Sequence, residues 1–169
     1  MRASGSGCTA AVWARCIVTG WAVDRAAAIL DEADVDEFAI SAGGDMRLRG
    51  TWQVGIQHPH LRDKIATAVE ATDLAIATSG AYARGEHVFA PHTRQPPTGM
   101  VSVTVAGPEL AAADAYATAT FAIGVAGPDW TTRLPGYEAI TVLAGDVVVT
   151  TPGFRRLQSA AARAISSVG

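Results

Sequence analysis

Apolar residues recur along this chain with two different periods, and the changes between them mark out its elements. From Gly20 to Asp34 they fall at Trp21, Ala22, Ala26, Ile29, Leu30 and Ala33, with Asp24, Arg25, Asp31 and Glu32 on the opposite side. That spacing predicts an amphipathic helix with a solvated acidic and basic face. The period then shortens to two. A strand is predicted over Glu37 to Ala42, closing on the turn Gly43-Gly44-Asp45, and another over Thr51 to His58, where Trp52, Val54 and Ile56 share one face. Residues 64–77 mix alanines with β-branched residues and are read as two strands with a turn near Ala71 to Asp73. A short strand at Glu86 to Phe89 leads into a proline-rich loop through Gly99. Val101, Val103 and Val105 alternate with Ser102 and Thr104 as a strand, and a nearly uncharged helix follows. Ala139 to Leu143 and Val147 to Thr151 flank Ala144-Gly145-Asp146 as a hairpin, before a last helix over Phe154 to Ser166. The order predicts an α+β fold, a largely antiparallel sheet packed with helices. Residues 1–15 carry no periodicity and form an atypical N-terminal segment ahead of a domain over 16–169.

The uncharged helix holds the most informative pair. Asp114 stands one turn before Thr118, so both oxygens project from one face, together with Leu110 and Phe121. An apolar face is the side expected to be buried, and a buried carboxylate is costly unless something compensates it. No Lys or Arg lies between Met100 and Gly127. A hard divalent cation held by oxygens is one solution, and Mg²⁺ characteristically combines one or two carboxylates with substrate phosphates. Another is an arginine from elsewhere in the fold, with Thr118 bonding back to its own helix.

Composition narrows the setting. The chain has 169 residues, 49% hydrophobic and 17% charged, enough for one domain with a core of its own. A net charge of −3 supplies no electrostatic footprint for nucleic acid, so none is expected as a partner. Cys8 and Cys16 are too few for a disulfide framework. His58 and His60 flank Pro59 without a third ligand nearby in sequence and read as an exposed loop. No continuous apolar run predicts a transmembrane segment, and the first residues lack the basic start and apolar core of a signal peptide. A cytoplasmic location is the resulting expectation. Trp21, Trp52 and Trp130 are expected in the core or at its edge.

Four segments resemble the C-terminal half of the ApbE family, the FAD:protein FMN transferases. They are GWAVDRAAAIL from Gly20, SAGGDMRLRG from Ser41, ATSGAYARGEH from Ala77, and TGMVSVTVAGPELAAADAYATATFAIG from Thr98. They stand in family order from about Cys16 to Phe154 and are most similar to the actinobacterial branch. The resemblance implies an ApbE-like fold, incomplete at its N-terminus. It also implies a Mg²⁺-dependent enzyme that splits FAD at the pyrophosphate, transfers FMN to a Thr or Ser hydroxyl of a target protein, and releases AMP. It assigns Asp114 and Thr118 to the metal, with Cys16 at the position of a glycine beside it. It assigns Gly43, Gly44, Asp45, Thr78, Ser79, Gly80, Phe89 and Thr19 to the flavin nucleotide, and His87 to the acceptor proton. The chain also departs from the pattern. Trp13, Cys16 and Thr19 stand where the family has Asp, Gly and Lys, and Ala90-Pro91-His92-Thr93-Arg94 replaces Asp-Pro-Arg-Thr-Gly. A non-catalytic flavin- or Mg-binding remnant and an unstable pseudogene product are therefore the alternatives to a transferase.

Overall fold

The computed structural model describes residues 7–61, 63–80, 88, 90, 93 and 95–158, with side chains from residue 17 onward. Helix α1 (Gly7–Glu32) leads into strands β1 (Phe38–Ala42), β2 (Asp45–Arg49), β3 (Thr51–Gln57), β4 (Ile65–Thr72), β5 (Ala75–Gly80) and β6 (Met100–Gly107). Helix α2 (Leu110–Ile123) follows, then a 3₁₀ turn (Gly124–Ala126), the short α3 (Gly127–Thr131), the hairpin β7 (Glu138–Leu143) and β8 (Val148–Thr150), and α4 (Phe154–Leu157). The main sheet has the order β1-β2-β5-β6-β7-β8 with every neighbour antiparallel, while β3 and β4 form a separate ribbon. The predicted α+β class with a largely antiparallel sheet is the observed one.

Alternation along the strands divides the core in two. Ala75, Ala77, Val103, Val105 and Ala139 turn to one face, against Val23 of α1 and Leu110, Ala113, Ala117 and Phe121 of α2. Ile76, Ala106 and Ile140 turn to the other, against Val54, Ile56, Val69 and Ala71 of the ribbon and the fully buried Phe154. The sheet is thus the middle of three layers. The chain leaves the sheet for the ribbon at Gly50 (φ +79°) and returns at Asp73, whose Oδ1 accepts the Gly50 N–H at 2.9 Å. That bond ties the ribbon's two exits together.

Three expectations need correcting. Strand β2 was read only as the end of a glycine turn, because Arg47 and Arg49 break its apolar pattern, yet Leu48 between them is buried. Helix α1 begins at Gly7 rather than Gly20, in an alanine-rich stretch that favours helix. Its buried stripe is Gly20, Val23 and Ala27, whereas Trp21 and Ile29 are exposed. Small residues win that face because α1 crosses α2 closely: a Cβ on Gly20 would stand 2.6 Å from the Ala111 Cα. The predicted strand at 86–89 falls largely outside the described residues, as does the last helix beyond Gln158.

Candidate functional site

The site assembles at the end of the sheet where β2 begins and β5 finishes. Gly43 (φ +64°) and Gly44 (φ +99°) form the two-residue turn between the paired Ala42 and Asp45. Two consecutive positive φ values define a type I′ hairpin turn, which side chains disfavour, so the hairpin itself accounts for both glycines. Asp45, the first residue of β2, is buried, and its Oδ1 accepts the Thr78 N–H at 3.0 Å. The bond continues the β2–β5 ladder one step beyond Met46↔Ile76. The Thr78 hydroxyl pairs with that of Thr104 on β6 at 2.9 Å.

Ser79 reaches across to α2, its Oγ 3.2 Å from the Thr118 Oγ1. Asp114 and Thr118 are 4% and 2% exposed, on the buried face with Leu110 and Phe121, as the spacing predicted. One carboxylate oxygen, Asp114 Oδ2, is buried and takes no hydrogen bond, although the residue has other interactions in the fold. Bonding back to the helix is the habit of Thr120, whose Oγ1 donates to the Tyr116 carbonyl at 2.7 Å. Asp45, Ser79, Thr118 and Asp114 thus bring oxygens to the helix–sheet interface, while the Thr78 and Thr104 hydroxyls turn to the opposite face of the sheet, beside Ile140.

The remaining expected site residues are placed by their elements alone or lie outside the described residues. Thr19 is half-buried on α1, and Cys16 is in the same helix, its side chain outside those described. His87 and Phe89 lie outside the described residues, and Gly80 ends β5. Tyr116 packs edge-on against Tyr137 and Trp130, with ring centroids 4.9 Å and 5.9 Å away. Burial, and secondarily the Glu109 carboxylate, pushes the Tyr137 phenol above its usual range. A cavity of about 230 Å³ opens at the C-terminal end of α2, between Pro96, Pro97, Ile123 and Val125. Among the described residues, none of the expected site residues lines it.

Sequence reasoning missed Asp24, which it placed on a solvated face. The structure places its carboxylate against the start of α2, accepting the Leu110 N–H at 3.0 Å and the Ala111 N–H at 2.9 Å. The only available signal was the absence of a capping side chain beside Leu110: Glu109 occupies the N-cap position and makes no cap bond.

The donor set has a definite chemical character. Among the described residues no three His, Cys, Asp or Glu side chains cluster as a metal site. One carboxylate with two hydroxyls is a hard, all-oxygen set of low charge, suited to a cation that completes its shell with phosphate and water. It does not suit zinc, which favours several nitrogen or sulfur ligands.

The ApbE family profile matches residues 10–141, most of the chain. The chain belongs to the ApbE family. It is 32% identical over 124 residues to the FAD:protein FMN transferase of Vibrio cholerae serotype O1, covering 64% of this chain and 37% of that protein. The Escherichia coli K12 FAD:protein FMN transferase is 31% identical over 121 residues, covering 62% of this chain and 34% of that one. The ApbE protein of Thermotoga maritima superimposes with a TM-score of 0.75 at 30% identity, over 85% of this chain and 52% of that one. The Vibrio cholerae flavin transferase ApbE also gives 0.75, at 26% identity over 84% and 51%. The chain thus spans a little over a third of these curated relatives and about half of the solved chains. Membership makes it a transferase-family protein with an ApbE fold. The helical segment Leu110–Thr131 has the length and apolarity of a membrane span, yet 56% of its apolar window is buried in the protein, as a core helix would be.

Proposed function

We propose that this chain supplies the metal-binding half of a flavin transferase that moves FMN from FAD to a Thr or Ser hydroxyl of a target protein. The observation that carries the reading is the buried pair Asp114 and Thr118, with the half-buried Ser79 hydroxyl against Thr118, in an ApbE-family chain. Asp114 and Thr118 would hold Mg²⁺, which when bound supplies charge neutralisation at the FAD pyrophosphate. The chain's own residues do the rest. Asp45, by fixing the Thr78 backbone, and the Ser79 hydroxyl shape the wall against which the nucleotide lies. Exclusion of water from this face makes each oxygen contact stronger than it would be at the surface. His87 is assigned the proton of the acceptor hydroxyl. As that oxygen bonds to the FMN phosphorus, the bond to the AMP phosphate breaks and AMP departs.

The test is to incubate the 169-residue chain with FAD, MgCl₂ and an acceptor domain, then read covalent flavin fluorescence on a denaturing gel. Fluorescent acceptor with matching AMP release supports the proposal. Dark acceptor and no AMP beside an active full-length relative refute transfer by this chain.

A second reading, a flavin- or Mg-binding protein without transfer, is favoured by Trp13, Thr19 and Ala90 at positions where the family carries Asp, Lys and Asp. It predicts that FAD quenches tryptophan fluorescence while no AMP appears.

A further inference from the structure

Helix α2 carries both Asp114 and Thr118, yet nothing in its own first turn caps it: Glu109 makes no side-chain cap bond. The cap comes from α1. Both oxygens of Asp24 are used, Oδ1 on the Leu110 N–H and Oδ2 on the Ala111 N–H. A carboxylate at that place satisfies two otherwise unpaired donors and meets the positive end of the helix dipole. Asp24 Oδ1 is also 3.7 Å from Arg47 Nε, on β2. Arg47 and Asp45 are two positions apart on that strand and so share a face. One turn before Asp24, Gly20 lets the α1 backbone close on Ala111. One side chain therefore joins α1, α2 and β2 at the point from which the oxygen cluster is built.

Asp114 lies one turn beyond Leu110, about 6 Å along the axis at 1.5 Å per residue. A helix is stiff over one turn, so any shift of its first residues moves Asp114 and Thr118 by a similar amount relative to Ser79. We propose that Asp24 is a positioning residue: it clamps the start of α2 and sets how Asp114 and Thr118 meet the end of β5. In its consequence for metal binding this rests on the reading given under Proposed function.

Asp24→Asn keeps one acceptor oxygen, and Asp24→Ala keeps none. Glu138→Gln is the control, because Glu138 accepts bonds from Thr151 and Gly153 and shares no residue with the cluster. Two measurements are made on each full chain: amide hydrogen exchange along Leu110 to Thr118, and the Mn²⁺ dissociation constant from electron paramagnetic resonance titration. The expected result is about 10-fold faster exchange in α2 and about 10-fold weaker Mn²⁺ binding for Asp24→Ala. Asp24→Asn should fall between it and the native chain, with both quantities native in Glu138→Gln. Native exchange in α2 of both Asp24 variants overturns the clamp. So does Glu138→Gln weakening Mn²⁺ as much as Asp24→Ala does. If the native chain binds no Mn²⁺, the metal reading fails by itself and exchange alone decides the clamp. Should Asp24→Ala not fold, Asp24→Asn carries both measurements.

Discussion

The two faces of the main sheet are built by the same strands and buried by different means. The ribbon face is mainly apolar: Leu48, Val54, Ile56, Val69, Ile76 and Ile140 close around Phe154, and the buried polar residues on this face of β6, Ser102 and Thr104, bring only uncharged hydroxyls. The helix face buries the carboxylates Asp45 and Asp114 and the Thr118 hydroxyl among its alanines and valines. Burying polar groups costs stability unless they are bonded, so the helix face is the poorer design for folding alone. The contrast separates what holds this molecule together from what it holds ready for a ligand.

The contrast can be broken from either side. The largest effect is expected from Phe154→Ala on the ribbon face, which should cost about 3–5 kcal/mol by leaving a cavity, read in urea melts, with little change in Mn²⁺ affinity for the molecules still folded. Asp114→Asn should do the reverse. Flavin transfer is expected to fall by about 10–100-fold, on the scale seen when the support of a metal site is lost. The melting temperature should hold or rise, since a buried charge has been removed. Gly20→Val lies between the two, because it forces side-chain atoms into the Ala111 backbone. A loss of about 1–3 kcal/mol is expected from such overpacking, and here faster exchange in α2 should accompany it.

How much of this was legible beforehand follows the range of the interactions. The Asp114–Thr118 pair and the β6 alternation are local patterns, and both stand where the sequence placed them. Strand β2 was hidden because its identity comes from pairing with β1 and β5, while its own residues alternate with arginines. The buried stripe of α1 was misplaced for a related reason. Helix contact there selects for small size at Gly20, so the larger apolar residues Trp21 and Ile29 were left outside. Asp24 was unreadable as a cap, its partners lying 86 and 87 residues away. Ser79 entered through family resemblance alone, and only the fold shows it touching Thr118.

The smallest predicted effect concerns the aromatic group beside α2. Burial raises the Tyr137 phenol in the folded state, so folding favours its neutral form. That contribution is complete below the ordinary tyrosine range, near pH 10, and is lost as pH rises through the raised value. Melting temperature measured across that interval should fall, and Tyr137→Phe should flatten the slope.

The central claim is that the buried oxygens on the helix face form a cation site that serves the pyrophosphate of FAD. Titration of Mn²⁺ by electron paramagnetic resonance, with and without FAD, in the native chain and Asp114→Asn, tests it most directly. FAD should tighten Mn²⁺ binding to the native chain, and Asp114→Asn should abolish both the binding and the tightening. Equal Mn²⁺ affinity in the two proteins, indifferent to FAD, would contradict the account.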